Sequence, residues 1–296
     1  MRSQEWVNVW HDAALDGLEL HHATYITHTF ARHAHDYYVI GLIEAGVQSF
    51  AYRGARRVTP AGDVFVIHPG EAHTGEAVSA GGYTYRTLYP PVPLLQRAYS
   101  DIAGGEQSVP FFPTPVIHDV EVARCLRDLH LALTAGVTPL EREARFLQAC
   151  ALLITRYAEI RPPEPAIGQE RSAVQQMRHY LDEHCAQPVS LAELARLVGL
   201  SPYYVHRVFE REVGMPPHAY LESVRIRQAQ RLLAQGYPIA QVAYELGFSD
   251  QSHLTRRFMR LLGITPGHYL HSKIVQDTQA PVVYYEEQEG PWSRPR

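Results

Sequence analysis

The feature that most constrains the fold of this 296-residue chain is an internal repeat near its C-terminal end. The segment LARLVGLSPYYVHRVFEREVGMPPHAYL (residues 194–221) aligns with VAYELGFSDQSHLTRRFMRLLGITPGHYL (residues 242–270). Matching residues lie 48 positions apart at first and 49 apart later; the pairs are Ala195/Ala243, Gly199/Gly247, Ser201/Ser249, Phe209/Phe258, Gly214/Gly263, Pro217/Pro266 and Tyr220/Tyr269. Each unit is predicted to be helix, glycine turn, helix, with one extra residue at the start of the last helix of the second unit.

Helix-start residues support this division of the first unit. Ser190 and Glu193 have the spacing of a capping box, which predicts that the first helix begins there. Ser201 followed by Pro202 predicts the start of the second helix. A long helix from about Pro217 to Gln235 would join the two units over roughly 28 Å, close to the one DNA turn of about 34 Å that separates successive major grooves.

The second helix of each unit has an apolar and a polar face. The apolar positions, expected to pack inward, are Val205, Val208 and Phe209 in the first unit and Leu254, Phe258 and Leu261 in the second. The side chains expected outside are Tyr203, His206, Arg207 and Arg211, then Gln251, Ser252, His253, Thr255, Arg256 and Arg257. Gln, Ser, Thr and Arg can hydrogen-bond base edges in a major groove, which predicts DNA binding. The alternative is a helical packing repeat with a solvated charged face.

The charge distribution points in the same direction. The net charge is −4, but residues 1–170 carry 13 basic and 19 acidic side chains, whereas residues 171–274 carry 12 basic and 8 acidic ones. The tail, residues 275–296, has two arginines and four acids. A basic part joined to an acidic one favours a polyanionic partner for the basic part.

The segment IAQVAYELGFSDQSHLTRRFMRLLGITPGHYL resembles the signature of the AraC/XylS family of bacterial transcription regulators. The resemblance extends from about Val174 to Leu270 and implies a DNA-binding domain of seven helices with two helix-turn-helices. It implies double-stranded promoter DNA and RNA polymerase as partners. The base-reading positions that it implies are Tyr203, His206 and Arg207, then Gln251, Ser252 and Arg256.

The N-terminal part is strand-like up to about Leu88. ATYITHTF, DYYVIGLIE, VQSFAYRG and GDVFVIHPG are short β-branched and aromatic runs separated by Gly and Pro, which predicts a sandwich or small barrel. HAHDYYVIGLIEAG and GDVFVIHPGEAH resemble the cupin-like sensory barrel of the same family, over about residues 18–90. The whole chain is therefore expected to be an α+β multidomain protein.

A small polar or anionic effector is expected at the mouth of this barrel, with a lining of Tyr25, Arg32, His33, His35, Tyr38 and His73. His33, His35 and His73 also resemble three ligands of metallocupins, although Val39 or Ile40 replaces the usual glutamate and His68 a usual proline. Three imidazoles can hold Zn²⁺ or Fe²⁺. Histidines satisfied by hydrogen bonds at the barrel rim are the alternative; no metal or other cofactor and no catalytic residue is expected.

Two helices are predicted after a Pro/Gly-rich connector, residues 90–115. The first, near Asp119 to Leu133, has the apolar stripe Val122, Leu126, Leu129 and Leu133, and the second, beginning at Thr138 and Pro139, includes Leu147 and Ile154. This pair resembles the dimerisation segment of the family, and covering the barrel is its alternative role. The predicted division is residues 1–160, a linker at 161–170, the DNA-binding domain at 171–274 and the tail at 275–296.

Composition sets the remaining expectations. With 46% hydrophobic and 20% charged residues, the chain is expected to be globular, and no apolar run approaches the roughly 18 residues that span a bilayer. Three separated cysteines and no signal-peptide pattern favour a reduced, cytoplasmic setting without membrane contact. The leading interpretation is an effector-sensing, homodimeric transcription regulator, not an enzyme. The alternatives are a metal-binding cupin sensor or enzyme fused to a DNA-binding domain, and an architectural DNA binder.

Overall fold

A computed structural model of the chain describes residues 4–162, 168 and 170–270. Their contacts form two compact units, one ending at Leu221 and the other beginning at Glu222. The predicted linker lies largely outside the described residues, as does the whole predicted tail. The predicted domain division therefore stays a prediction.

Nine antiparallel strands make up the first part of unit 1. They are β1 (Trp6–Asp12), β2 (Leu18–Tyr25), β3 (Phe30–His33), β4 (Val39–Tyr52), β5 (Ala55–Pro60), β6 (Val64–Ile67), β7 (His73–Ala77), β8 (Tyr83–Tyr89) and β9 (Val116–Ile117). The strand order is β1-β2-β8-β4-β6-β9, while β5 and β7 also pair with β4, and β3 pairs with β7. This architecture confirms the predicted cupin-like β domain.

Strand β4 belongs to both halves of this sheet. Its first half pairs with β6 and β8 and its second half with β5 and β7. The bend between the halves includes Gly46, which has a φ of +73° and whose missing side chain leaves room for the carbonyl oxygen of Gly82. DYYVIGLIE and VQSFAYRG were expected to be separate strands, but most of both segments belongs to the single strand β4.

Nine α-helices of seven or more residues lie in the described part of the chain. They are α1 (Val92–Ala103), α2 (Val120–Thr134), α3 (Pro139–Tyr157), α4 (Arg171–Glu183), α5 (Leu191–Val198), α6 (Pro202–Val213), α7 (Pro217–Ala234), α8 (Ile239–Glu245) and α9 (Gln251–Leu262). Helices α5–α6 and α8–α9 are the two predicted helix-turn-helices, and α7 is the predicted long helix, within which the two units divide. Residues 266–270 are also helical.

The predicted helix starts are confirmed. Ser190 and Glu193 form the capping box of α5, and Ser201 caps α6 by accepting a hydrogen bond from the backbone N–H of Tyr204. Helix α9 begins one residue later than α6 relative to the repeat, because Asp250 rather than Ser249 is its N-cap. This shift of the cap accounts for the change of the repeat from 48 to 49 residues.

The predicted connector contains a helix that the sequence interpretation missed. Helix α1 begins just after Pro91 and ends at Gly104, whose φ is +71°. Its buried side chains are Leu94, Leu95, Ala98, Tyr99 and Ile102. This three-to-four spacing is a helical pattern, and the Pro and Gly that suggested a loop are instead its start and stop residues.

A buried polar network holds α2 on the sheet. Glu44 accepts hydrogen bonds from Arg86, at 2.8 Å, and from Arg127, at 3.2 Å. His130 is fully buried; its Nε2 donates to the carbonyl of His21, and its Nδ1 therefore accepts from Arg86. Burial and the neighbouring guanidinium lower the pKa of His130 to about 4, so that the ring is neutral.

The apolar stripes of α2 and α3 are buried within the chain, apart from Leu133 at the end of α2, which is half-buried. Val122, Leu126 and Leu129 are at most 4% exposed, and Leu147 and Ile154 at most 6%. Helix α2 packs against α3 and β8. The expectation that these stripes offer a dimer surface is wrong, because the chain itself covers them.

Leu129→Ala is expected to lower the free energy of unfolding by about 2–5 kcal/mol, because it leaves a cavity in this packed face. Leu131 lies on the same helix but is 46% exposed, so Leu131→Ala is expected to change stability by less than about 0.5 kcal/mol. Denaturant unfolding of both variants measures the difference. Equal losses would contradict the assignment of the two faces.

Candidate functional site

A cavity of about 210 Å³ lies in the β domain. Its lining is aromatic and polar: Tyr25, Tyr37, Tyr83, Tyr85 and Tyr89, the histidines His21, His33, His35 and His73, and Glu19, Phe30, Val39, Gln48, Phe65, Ile67, Thr74 and Gly75. Ligand pockets for drug-sized molecules typically measure roughly 300–1,000 Å³. The cavity therefore suits a small molecule.

Four of the six predicted effector-binding residues line this cavity: Tyr25, His33, His35 and His73. The prediction that Arg32 and Tyr38 line it is wrong. Arg32 precedes the cavity-lining His33 in β3 and is exposed; the pairing of β3 with β7 shifts register between Phe30 and His33, both of which line the cavity. Tyr38 follows the cavity-lining Tyr37 and is buried elsewhere, where its hydroxyl donates to the carbonyl of Pro110 at 2.7 Å.

The tyrosines form one wall of the cavity. Tyr83, Tyr85 and Tyr89 lie two and then four residues apart along β8, and Tyr25 on the neighbouring β2 stacks on Tyr85 with ring centroids 5.8 Å apart. Burial raises the pKa of all four phenols, so that they stay neutral and can donate hydrogen bonds. The period-two spacing in YTYRTLY was the signal that would have identified the β8 tyrosines from sequence.

Polar acceptors complete the lining. The Oε1 atom of Gln48 is buried and has no hydrogen-bond partner among the described residues, while Nε2 of the same side chain lies 3.5 Å from the hydroxyl of Tyr83. Glu19 accepts a hydrogen bond from His21 at 2.6 Å. The cavity thus offers phenol donors together with amide and carboxylate acceptors.

Three histidines meet at one side of the cavity. His33 and His73 are cross-strand partners of β3 and β7, with ring centroids 4.3 Å apart. The ring of His35 lies 4.8 Å from that of His73 and stacks on Tyr37. His68 lies apart from this cluster: its Nε2 accepts from the N–H of Phe112, a structural role at the predicted proline position.

Helix α9 exposes the predicted DNA-contacting side chains of the second unit. Gln251, Ser252 and Arg256 are exposed, whereas Leu254 and Phe258 are fully buried in the core of unit 2. The prediction that Leu261 packs inward is wrong, since it is 42% exposed. The exposed face therefore spans Gln251 to Arg256 at the start of the helix.

Arg257 is not on this exposed face. Its guanidinium lies 3.1 Å from Glu222 of α7, and both side chains are largely buried. It was expected to lie outside with Arg256, but one further residue along a helix rotates the side chain by about 100°. The ion pair makes Arg257 part of the packing of unit 2.

The predicted outward position of two residues in the first unit is wrong. Tyr203 is 6% exposed and His206 4% exposed, and both line a space that residues of α2 and α3 also line. Burial lowers the pKa of His206 to about 4, so the ring is neutral. Arg207 is half-buried, with its guanidinium over the ring of Tyr203 at 5.6 Å. Helix α6 thus presents less of its predicted DNA face than α9 does.

A carboxylate of α3 also holds α5, the first helix of the same helix-turn-helix. Glu143 accepts hydrogen bonds from the backbone N–H groups of Leu191, at 2.8 Å, and Ala192, at 3.2 Å, at the start of α5. These N–H groups have no partner inside the helix, and the helix dipole favours a negative charge there. The hydroxyl of Ser201 adds a long bond, 3.4 Å, to the carbonyl of Asp101 in α1. The first helix-turn-helix is therefore docked on α1 and α3.

Among the helices described, none is long and apolar enough to cross a membrane.

Comparison with known proteins covers both parts of the chain. Residues 17–150 match the family described as AraC-like ligand binding domain, and residues 194–272 match a helix-turn-helix domain. The HTH-type transcriptional regulator YbfI of Bacillus subtilis (strain 168) is 32% identical over 233 residues, which are 77% of this chain and 82% of that protein. The HTH-type transcriptional activator RhaS of Pectobacterium atrosepticum is 25% identical over 251 residues, 82% of this chain and 88% of that one.

Among solved structures, a probable AraC family transcriptional regulator from Rhodopseudomonas palustris CGA009 is 28% identical, covering 34% of this chain and 96% of its own, with a TM-score of 0.33. The two family matches, over residues 17–150 and 194–272, contain the cavity residues and the helix-turn-helices, respectively. The chain belongs to the AraC/XylS family, as a ligand-sensing, DNA-binding transcription regulator.

Proposed function

We propose that the chain is a cytoplasmic, homodimeric regulator that binds promoter DNA when a small polar molecule occupies the β-domain cavity. It acts by binding rather than by catalysis, and it recruits RNA polymerase as an activator. The observation that carries this proposal is the docking of the first helix-turn-helix on α1 and α3, because α3 packs against α2 and α2 packs against the sensory sheet. Thermal-shift screening of metabolites, followed by DNA titration with each hit, tests it.

DNA recognition is assigned to the start of α9 and to α6. Gln251, Ser252 and Arg256 are exposed and have the donor and acceptor groups that read base edges. Tyr203, His206 and Arg207 are the corresponding residues of α6. Since Tyr203 and His206 are buried beside α2 and α3, α6 has to leave this position before they can reach DNA.

The effector is expected to shift the equilibrium between the docked position of α6 and the position in which α6 reaches DNA. A ligand changes a conformational equilibrium only if it binds one state more tightly than the other. The cavity wall β8 packs against α2, and α2 packs against α3, which carries Glu143. A ligand that moves β8 would therefore act on the helix that holds the first helix-turn-helix in place.

A dimer is proposed because one DNA-binding domain has only a modest positive charge, a net +4 over residues 171–274. Two linked domains on paired sites bind more tightly through effective concentration. The proposal assigns the dimer contact to a surface other than the buried stripes of α2 and α3.

Arg256→Ala is expected to weaken binding to the site selected from a random-sequence library by about 1–3 kcal/mol, because a base-reading arginine forms two hydrogen bonds with guanine. Binding to a scrambled site of the same length should barely change. Fluorescence titrations at one salt concentration measure both. Equal weakening on the two DNAs would identify a phosphate contact instead.

Glu143→Gln is expected to raise DNA affinity in the absence of effector by roughly 5- to 30-fold, since a hydrogen bond to a charged group contributes about 1–2 kcal/mol to the docked state. Glu183→Gln is the matched control, because that carboxylate is exposed on α4. Affinity unchanged in Glu143→Gln would show that docking does not limit DNA binding.

Tyr25→Ala is expected to abolish the thermal shift and the DNA response produced by any effector found in the screen, because it removes a wall of the cavity. Arg32→Ala should respond like the parent protein, since Arg32 lies outside the cavity. A full response in Tyr25→Ala would place the effector elsewhere, and the absence of any effector would favour an architectural DNA binder.

A further inference from the structure

We propose that His33, His35 and His73 bind one first-row divalent cation of the Zn²⁺ type at the side of the cavity. One ring nitrogen from each residue lies within 4.8 Å of the others. Two strands and the segment after β3 bring the three imidazoles together, and His33 and His73 face each other across the β3–β7 pair.

The hydrogen bonds of the three rings orient them for a cation. Nδ1 of His33 lies 2.8 Å from the carbonyl of Ala31, Nδ1 of His35 lies 2.9 Å from that of Tyr37, and Nδ1 of His73 lies 3.1 Å from that of Glu71. A carbonyl can only accept, so each Nδ1 must carry the proton. Each Nε2 is then the unprotonated nitrogen, with a lone pair available. Metal-binding histidines in proteins almost always have this arrangement of a ligating nitrogen and a second nitrogen bonded to an acceptor.

The Nε2 atom of His35 accepts no hydrogen bond from the described part of the chain. It is buried and lacks a hydrogen-bond partner among the described residues. Since an unsatisfied buried acceptor is unfavourable, a ligand at this point would stabilise the site. Hydrogen bonds at a barrel rim account for the tautomer of the three rings, but they leave the buried Nε2 of His35 without a partner among the described residues.

The positions of His73 and His35 are fixed by burial and by a backbone hydrogen bond, whereas the ring of His33 can move. His73 is 6% exposed, and the carbonyl of His35 accepts from the N–H of Gly70 at 2.7 Å, which ties the two ligand-bearing segments together. His33 is exposed at the end of β3. A tetrahedral ion with bonds of about 2.0–2.1 Å needs ligand nitrogens about 3.4 Å apart. Rotation of the exposed His33 ring can bring its nitrogen closer.

The donor set selects the class of ion. Three neutral imidazoles suit Zn²⁺, Fe²⁺, Co²⁺ or Ni²⁺, whereas Mg²⁺ and Ca²⁺ prefer oxygen ligands. Three protein ligands leave at least one coordination position, which would face the cavity. Neither Arg nor Lys lines the cavity among the described residues, so the ion would supply positive charge for an effector with a carboxylate or other anionic group. This last consequence rests on the proposed function.

The test is titration of EDTA-treated, full-length protein with Zn²⁺ by calorimetry and with Co²⁺ by visible absorption. One tight equivalent is expected, with Co²⁺ bands of tetrahedral or five-coordinate geometry. His33→Ala and His35→Ala should each weaken this equivalent by roughly 100-fold or more, since loss of a ligand exceeds the 10- to 100-fold effect of losing a second-shell partner. His33 is exposed, so His33→Ala should fold normally, which its thermal unfolding would verify.

His179→Ala is the matched control, because that exposed histidine beside Glu183 belongs to the surface and should leave the tight equivalent unchanged. The proposal is overturned if His33→Ala and His35→Ala bind Zn²⁺ like the parent, or if only weak binding spread over several sites is found. DNA titrations of the metal-free protein are independent of this result. A failure of the metal site therefore differs from a failure of the regulator.

Discussion

The bend of β4 is the constraint on which the sensory domain depends. The strand must leave one set of partners and join another within a few residues, and a side chain at Gly46 would collide with the backbone at Gly82. Because β4 pairs with β5, β6, β7 and β8, the bend also sets how the tyrosine wall of β8 faces the histidines of β3 and β7. The cavity is thus a consequence of strand geometry rather than of one loop.

Helices α2 and α3 connect the sheet to the first helix-turn-helix, since α2 packs on the sheet and α3 packs on α2, α5 and α6. Helix α2 is anchored by the charged network around Glu44, and α3 presents Glu143 to the start of α5. Two residues of the proposed DNA face of α6, Tyr203 and His206, are buried beside α2 and α3. If these two residues read bases, the docked arrangement and DNA binding through α6 exclude each other, because one surface cannot contact both partners at once.

The chemistry of the cavity is that of a neutral, hydrogen-bonding site. Burial keeps its phenols protonated, and Glu19 is the carboxylate in a lining without Arg or Lys among the described residues. Such a lining distinguishes ligands by the positions of their polar atoms more than by net charge. A divalent ion on the three imidazoles would change this, because it would bring the dominant positive charge to a weakly charged wall.

Features that depend on local patterns were predictable from the sequence. The repeat predicted two helix-turn-helices, and Ser190, Ser201 and Thr138 were identified as helix caps, because capping requires only neighbouring residues. The family followed from the same segment. The β domain was predictable in outline, since short β-branched and aromatic runs between Gly and Pro are typical of strands.

Which faces are covered, and by which elements, became known only from the folded chain. An apolar stripe such as that of Leu126 and Leu129 is equally compatible with a dimer and with a sheet, and an amphipathic helix does not state what buries Tyr203. Arg32 and Tyr38 were expected to line the cavity, but Arg32 is exposed beside the register shift of β3, and Tyr38 is buried away from the cavity that its neighbours Tyr37 and Val39 line. Burial is a property of contacts between residues distant in the sequence, and local periodicity identifies a face without identifying its partner.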